Sequence, residues 1–542
     1  MAKYIFVTGG VVSGLGKGIT AASLGKLLRL RGYKVSVQKI DPYLNVDPGT
    51  MSPYEHGEVF VTNDGGETDL DIGHYERFLD INCCHQSDIT SGQIYTSVLN
   101  KERRGDYLGH TVQIVPHVTN EIKEFMRSIG EGQDIVIIEI GGTVGDMEQA
   151  VFIEAIRQFR HELGANNSVS VHVTLIPYIA SSGEIKTKPT QNSVKDLQRQ
   201  GVFADVLVCR TTADVDLAQE HRDKIAMFCG LDNQEDVIHN RDCRTIYEVP
   251  LMFAKQNFDT IVLKKLGLKL NQCDLSSWSA MVNKLCDDNL PEATIAIVGK
   301  YAEVADAYIS VTEALKHAGI SNNVRVNVKL IQAENIERDG AAAWLKNVHG
   351  ILVAGGFGNR GIEGKIAAIE YARTNQIPFL GICLGMQTSV MEFARNVCKL
   401  KDANSTEFDA KVKYPVIHLI DEQKDIQNKG GTMRLGLYDC QIKAGTLASK
   451  LYGKTLIQER HRHRYEFNNA YRVQLEQAGL VVSGVNPQAN LVEIVELPNH
   501  PFFIGCQFHP EFISRPQRPH PLFQGFIAAV AKRLPLQSEF AL

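Results

Sequence analysis

Paired cysteines are missing from this chain. Its 542 residues include eleven cysteines, an odd and scattered set. No Cys-x-x-Cys occurs, and no Cys and His stand at zinc spacing, so neither a disulfide framework nor a structural zinc site is expected. The adjacent Cys83 and Cys84 are read as incidental, and the usage as a whole suits a reducing compartment, the cytoplasm. No apolar run reaches membrane-spanning length. The opening Lys3-Tyr4-Ile5-Phe6-Val7 gives way to glycines and Lys17, so it lacks the apolar stretch of a signal peptide and is expected to be a first β-strand. Net charge is −5, which makes no electrostatic case for nucleic acid. Neither nucleic acid nor membrane is therefore expected as a partner. Short repeats and long low-complexity tracts are absent too.

What remains is ordinary globular composition, 44% apolar and 22% charged, in a chain too long for one core. Apolar strands alternate with helical patterns, which predicts α/β domains on parallel sheets. Candidate strands cover 4–8, 35–39, 135–140, 171–176 and 206–209. Polar residues accumulate around 266–291. A first domain over 1–266, a linker over 267–291 and a second α/β domain over 292–542 are expected, the last with strands at 294–299, 326–330, 350–354, 379–383 and 502–508.

Cys383 carries the strongest chemical signal. An apolar strand runs into Gly381-Ile382-Cys383-Leu384-Gly385, and a helical stretch follows. This is a nucleophile elbow with cysteine in place of serine. Glycines flank the nucleophile because a Cβ at either place would strike neighbouring backbone, and the helix start favours a thiolate. Free cysteine is most often a core residue. Here, however, a second buried strand, 502–508, ends in His509-Pro510-Glu511, which offers a base and a carboxylate to orient it. The pair of features resembles class I glutamine amidotransferases.

The first strand leads into Gly9-Gly10-Val11-Val12-Ser13-Gly14-Leu15-Gly16-Lys17-Gly18-Ile19 and then a helix over 21–29. Glycines let successive N–H groups face a phosphate, and Lys17 with the helix N-terminus adds positive charge. The run departs from a strict Walker A: one residue is extra, and Gly18 stands where Ser or Thr would ligate Mg²⁺. Acids are expected to compensate. Asp71 is one candidate. Glu139, embedded in Ile135-Val136-Ile137-Ile138-Glu139-Ile140, is the other, since a carboxylate inside an apolar strand is not surface charge. Lys39, at the end of the second strand, is either a surface lysine or a phosphoryl ligand.

Taken together, the halves resemble the CTP synthase family from residue 4 to about 526. The marks are Asp47-Pro48-Gly49-Thr50-Met51-Ser52-Pro53, Lys101-Glu102-Arg103-Arg104-Gly105-Asp106, Lys186-Thr187-Lys188-Pro189-Thr190-Gln191, Asn404-Ser405-Thr406-Glu407-Phe408 and Arg460-His461-Arg462-His463-Arg464-Tyr465-Glu466. The resemblance implies a P-loop-like parallel-sheet synthase domain followed by a class I glutamine amidotransferase domain. It implies ATP-dependent amination of UTP to CTP through a 4-phosphorylated intermediate, with ammonia from glutamine or from solution. By resemblance Gly14, Leu15, Gly16, Lys17, Gly18, Ile19 and Asp71 would bind ATP, and Asp71 and Glu139 would hold Mg²⁺. Lys186, Thr187, Lys188, Pro189, Thr190, Gln191 and Lys224 would bind UTP, with Ser13, Asp146, Met147 and Glu148 in the region where CTP inhibits. Cys383 would form the thioester, with His509 as base and Glu511 orienting it. Gly356 would face the oxyanion, while Leu384, Gly385, Met386, Gln387, Glu407 and Arg464 would bind glutamine. GTP would activate through the lid loop, whose variable place is Asn359. A homotetramer, with filaments as a further assembly, is the implied quaternary state.

Two rival readings stand beside this one. An ATP-dependent amidase-ligase of the cobyrinic acid or dethiobiotin type shares the phosphate loop, although the runs at 186–191 and 47–53 speak against it. A filament-forming protein without activity is the other, but it would be expected to have lost a nucleophile or a metal ligand.

Overall fold

The computed structural model describes residues 2–212, 215–419 and 433–535. The chain divides into two compact units. The first takes Met1–Pro48 and Asp71–Cys286, and the second takes Gly49–Leu70 and Asp287–Leu542. Among the described residues no helix is long and apolar enough to cross a membrane.

The first unit is built on a parallel sheet of β1 (Lys3–Gly9), β2 (Val35–Asp41), β3 (Asp88–Thr90), β4 (Ile135–Ile140), β5 (Ser168–Leu175), β6 (Val206–Thr211) and β7 (Val237–Arg241), in the order β7-β6-β5-β1-β4-β2-β3. β4 is buried at every position, as a strand covered on both faces must be. From β1 the chain crosses to one side, towards β2; from β4 it crosses back over β1 to β5. The order therefore reverses between β1 and β4, and the carboxyl ends of these two strands flank the crevice where open α/β sheets bind ligands. The segment 267–291 carries a helix, Ser276–Leu285. Its Trp278 donates to the Tyr247 carbonyl at 2.9 Å and lies under the Lys26 ammonium, so this helix is packed into the first unit.

The second unit has a mixed sheet of β8 (Glu292–Gly299), β9 (Arg325–Gln332), β10 (Gly350–Val353), β11 (Phe379–Ile382), β12 (Arg434–Ile442), β13 (Leu456–His463), β14 (Val481–Val485), β15 (Val492–Glu496) and β16 (Phe503–Cys506), in the order β9-β8-β10-β11-β16-β15-β14-β12-β13. The first five neighbours run parallel and the rest antiparallel. Parallel pairing of β11 with β16 places Ile382 beside Cys506. The residues that follow, Cys383 and His509, thus leave the sheet at the same edge.

Residues Gly49–Leu70 come from the first half of the sequence but pack on the second unit. The alternation of Arg and His in β13 explains how, because successive side chains of a strand face opposite ways. Arg460 donates to Asn63 Oδ1 at 2.7 Å and to the Val61 carbonyl at 3.0 Å. Arg462 donates to Glu67 Oε1 at 2.7 Å and to the Gly49 carbonyl at 3.1 Å. On the other face His463 meets Glu466 at 2.7 Å and His461 lies 3.6 Å from Glu493, a buried cluster completed by Arg434 between the two acids.

Candidate active sites: a thiol elbow and a phosphate loop

Cys383 has φ 53° and ψ −105°, a conformation that L-residues rarely adopt, and it starts the helix Leu384–Asn396. Its flanking glycines are obligatory. A Cβ on Gly381 would fall 2.7 Å from the Gly385 carbonyl oxygen, and one on Gly385 would fall 2.1 Å from that of Val353. The Cys383 N–H donates to the Cys506 carbonyl at 2.7 Å, which ties the elbow to β16. Gln507 Nε2 lies 3.7 Å from the thiol.

His509 Nδ1 meets Glu511 Oε1 at 2.7 Å, and its ring stacks on Phe512 with centroids 5.1 Å apart. The His509 N–H donates to the Arg460 carbonyl at 2.8 Å, fixing the residue's backbone. A point at the place of a Gly355 Cβ would be 3.6 Å from Cys383 Cβ and 3.8 Å from His509 Nε2, so thiol, imidazole and glycine loop converge. Burial works against a charge on His509, but Glu511 and then Cys383 outweigh it and raise the imidazole to about 10. The three residues border a cavity of about 180 Å³, with Gly356, Phe357 and Arg462 on its wall. Glu407 accepts from the Gly358 N–H at 2.7 Å and interacts electrostatically with Arg464. Leu384 and Met386 have buried side chains, and Met386 packs on Gly505. Gln387 donates to the Tyr465 carbonyl at 2.8 Å.

In the first unit, Gly14 and Gly16 have φ of +71° and +80°, with open space where a Cβ would stand. Gly16 caps the helix Lys17–Leu30 without a side-chain bond, leaving the first N–H groups of a long helix to a ligand. Lys17 runs along Gly9 and donates to the Gly142 carbonyl at 2.7 Å. Burial lowers its pKa, with Glu139 opposing.

Asp71 stands in the place that a Walker A hydroxyl would take. A Cβ on Gly18 would fall 2.1 Å from Asp71 Oδ1 and 2.5 Å from its Cγ. Lys39 pairs with Asp71 and lies 3.8 Å from Asp41. Burial opposes the charge on Asp71, but Lys39, His74 and Lys17 together more than offset it and the pKa is lowered. Glu139 is raised to about 7 by burial, which Asp71 reinforces and the two lysines oppose. Tyr75, fully buried, donates to Glu139. Glu139, buried, and Asp71, half-buried, repel each other and offer hard oxygen donors, which fit a small divalent cation such as Mg²⁺.

A separate cavity of about 1070 Å³ lies in the first unit, bordered by Lys186, Thr187, Lys188, Gln191, Lys224 and His221. Ser13, Asp146, Met147, Glu148, Pro189 and Thr190 are not on its wall.

Residues 3–268 match the sequence family described as CTP synthase N-terminus, and residues 303–529 match class-I glutamine amidotransferase. The chain is 58% identical to a CTP synthase of Clostridium acetobutylicum over 97% of its own length and 98% of that protein. It belongs to the CTP synthase family. A CTP synthase of Staphylococcus aureus is 57% identical, covering 98% of this chain and 99% of the relative. Among solved structures, the glutaminase domain of Trypanosoma brucei CTPS with bound acivicin is 41% identical, covering 45% of this chain and 96% of that one, with a TM-score of 0.42.

Within this CTP synthase framework three groups stand at the sites that sequence reasoning passed over. Gln507 reaches the thiol, but its place inside an apolar strand reads as core. Tyr75 reaches Glu139 from a helix whose sequence carries no motif. Lys365 is fully buried and donates to the Ala354 carbonyl at 3.0 Å, beside the glycine loop. Burial holds Lys365 down to about 8, with Cys383 opposing. A lysine in the first turn of a helix ordinarily reads as exposed.

Proposed function

We infer that this chain is a glutamine-hydrolysing CTP synthase, converting UTP to CTP with ATP and taking its nitrogen from glutamine. The observation that carries this reading is the full-length similarity to CTP synthases, in a chain that holds both a Cys-His-Glu elbow and a lysine-carboxylate phosphate loop.

The Cys383 thiolate attacks the carboxamide carbon of glutamine, forming a thioester as the C–N bond breaks. His509 gives its proton to the departing ammonia and then takes one from the water that hydrolyses the thioester. Glu511 holds the imidazole in orientation, and the glycine loop at Gly356 faces the oxyanion. Glu407 and Arg464 hold the amino-acid end of glutamine. In the first unit the loop Gly14 to Ile19 cradles ATP, and Lys17 and Lys39 stabilise charge on the γ-phosphoryl group as O4 of UTP attacks it. Asp71 and Glu139 would hold Mg²⁺, which would neutralise phosphate charge. Ammonia then attacks C4 and phosphate leaves. UTP lies in the cavity at Lys186 to Gln191 and Lys224.

Ser13 and the run Asp146, Met147 and Glu148 serve CTP inhibition and UTP from outside that cavity wall, as expected if a homotetramer completes each site. GTP activates through the loop containing Asn359, and the enzyme works in the cytoplasm.

The test is Cys383→Ala, with CTP formation from UTP and ATP measured on glutamine and on ammonium, with and without GTP. Glutamine-dependent synthesis should vanish while ammonium-dependent synthesis stays near wild type. Equal loss of both in a folded variant would sink the two-site reading.

A further inference from the structure

His172 stands in β5, fully buried, opposite Thr8 in the register of β5 against β1. Both ring nitrogens have hydroxyl partners. Nδ1 lies 2.9 Å from Thr8 Oγ1, and Nε2 lies 2.8 Å from Ser193 Oγ. Thr8 is two residues before Gly10, where the phosphate loop opens. Ser193 is on the helix Lys188–Arg199, whose first turn carries Lys188, Thr190 and Gln191. The same Ser193 hydroxyl abuts the loop: a Cβ on Gly10 would fall 1.9 Å from Ser193 Oγ and 3.4 Å from His172 Nε2. The Gly10 N–H is fixed in turn by the Val173 carbonyl at 3.1 Å. One imidazole therefore joins the strand that feeds the phosphate loop to the helix that borders the 1070 Å³ cavity.

A residue needed only to fill space would not require a hydroxyl on each side. A neutral imidazole so placed accepts at one nitrogen and donates at the other, which makes it a rigid spacer of fixed length. Burial, with Lys17 adding to it, holds His172 down to about 3, so the ring is neutral near neutral pH.

We propose that His172 is a positioning residue that sets the UTP-binding helix against the ATP phosphate loop, so that the two nucleotides meet at the separation phosphoryl transfer requires. This rests on the assignment of ATP to the glycine loop and UTP to the cavity. In that step the bond between the γ-phosphorus and the bridging oxygen of ATP breaks as uracil O4 bonds to phosphorus, and ADP leaves with the electron pair. Reacting atoms must be held within about 3–3.5 Å, and a misplacement of about 1 Å costs on the order of a hundredfold in rate.

Three variants of the full-length enzyme test the proposal: Thr8→Val, Ser193→Ala and His172→Gln. Ammonium-dependent CTP formation is measured while ATP and UTP are varied in turn, and melting temperature reports folding. Ser193→Ala removes one oxygen and keeps the imidazole, so it remains informative if His172→Gln fails to fold. Each hydroxyl variant should lower kcat by about tenfold or more with KM for either nucleotide little changed. The double variant Thr8→Val with Ser193→Ala should lose less than the product of the two single losses, because both act through one ring. Wild-type kcat in folded Ser193→Ala, or losses confined to melting temperature or to one KM, would overturn the proposal. Absence of UTP amination in the unaltered enzyme would instead overturn the nucleotide assignment beneath it.

Discussion

Restoring the missing hydroxyl of the phosphate loop should damage this enzyme. Gly18→Ser would convert the end of the loop to the Lys-Ser of a Walker A, and motif reasoning alone expects a gain in metal binding. The structure predicts a loss. The new Cβ would stand 2.1 Å from Asp71 Oδ1, well over 1 Å inside normal contact. Gly18 is in the buried first turn of a helix, so the half-buried Asp71, held by Lys39, must give way. If Asp71 swings away, Lys39 is left buried without its nearest carboxylate. Overpacking costs about 1–3 kcal/mol, and breaking a buried ion pair about 3–5 kcal/mol. If the lower part of that range, about 3 kcal/mol, is lost from the transition state, the rate falls on the order of a hundredfold. The assay is ammonium-dependent CTP formation over a Mg²⁺ series, with basal glutamine hydrolysis at Cys383 as the control for folding. Gly18→Ala should fail equally, since the Cβ and not the hydroxyl does the harm. A Gly18→Ser enzyme with the wild-type rate and Mg²⁺ profile would refute the view that Asp71 replaces the loop hydroxyl.

Lys17→Ala should cut CTP formation on both nitrogen sources by about a thousandfold through loss of charge stabilisation, with basal glutamine hydrolysis retained; near-normal synthesis from ammonium would contradict this. Gly385→Ala drives a Cβ to 2.1 Å from the Val353 carbonyl oxygen, so glutamine-dependent synthesis should be lost and the melting temperature should fall; an unchanged melting curve would show that the elbow can relax. Glu493 is raised to about 8 by burial, with Arg434 opposing. A raised carboxyl contributes stability that is complete below its unfolded value, near pH 4.5, and is lost as pH rises through about 8. Glu493→Gln should therefore match wild type in urea unfolding at pH 5 and exceed it at pH 8, and a constant difference at both would count against this account.

Buried parallel strands were the most legible elements, because a strand covered on both faces is apolar at consecutive positions. β4 and β11 could be placed from sequence for that reason. β12 and β13 could not: half their side chains are charged or polar, and these are satisfied by the buried Glu466 and Glu493 and by the distant segment around residues 49–67. The elbow at Cys383 was legible because its strain dictates glycine on either side, a local constraint. The compensation for Gly18 was legible only as a need for some acid. That Asp71 meets it sterically is a contact between residues 18 and 71 that no local pattern encodes. The packing of Gly49–Leu70 on the second unit was invisible, since its partners Arg460, Arg462 and Phe512 lie some four hundred residues downstream. The UTP candidates were only partly gathered: Lys186 to Lys188, Gln191 and Lys224 share a cavity wall, and Ser13 and Asp146 to Glu148 do not.

That inserted segment has a consequence for how the chain comes off the ribosome. Residues 49–70 emerge early, yet Phe60 is completed by Phe512, at a ring separation of 5.0 Å, only when synthesis is nearly finished. In the interval the first unit has every strand of its sheet, while Val59, Phe60 and Val61, all buried in the finished protein, have no core to enter. Domains usually fold in the order in which they are made, and here a segment of the second unit is made within the first and waits for the rest of its unit. Nascent chains halted after residue 286 should thus carry an exposed apolar loop that chaperones bind, and the last strands of the second unit should release it.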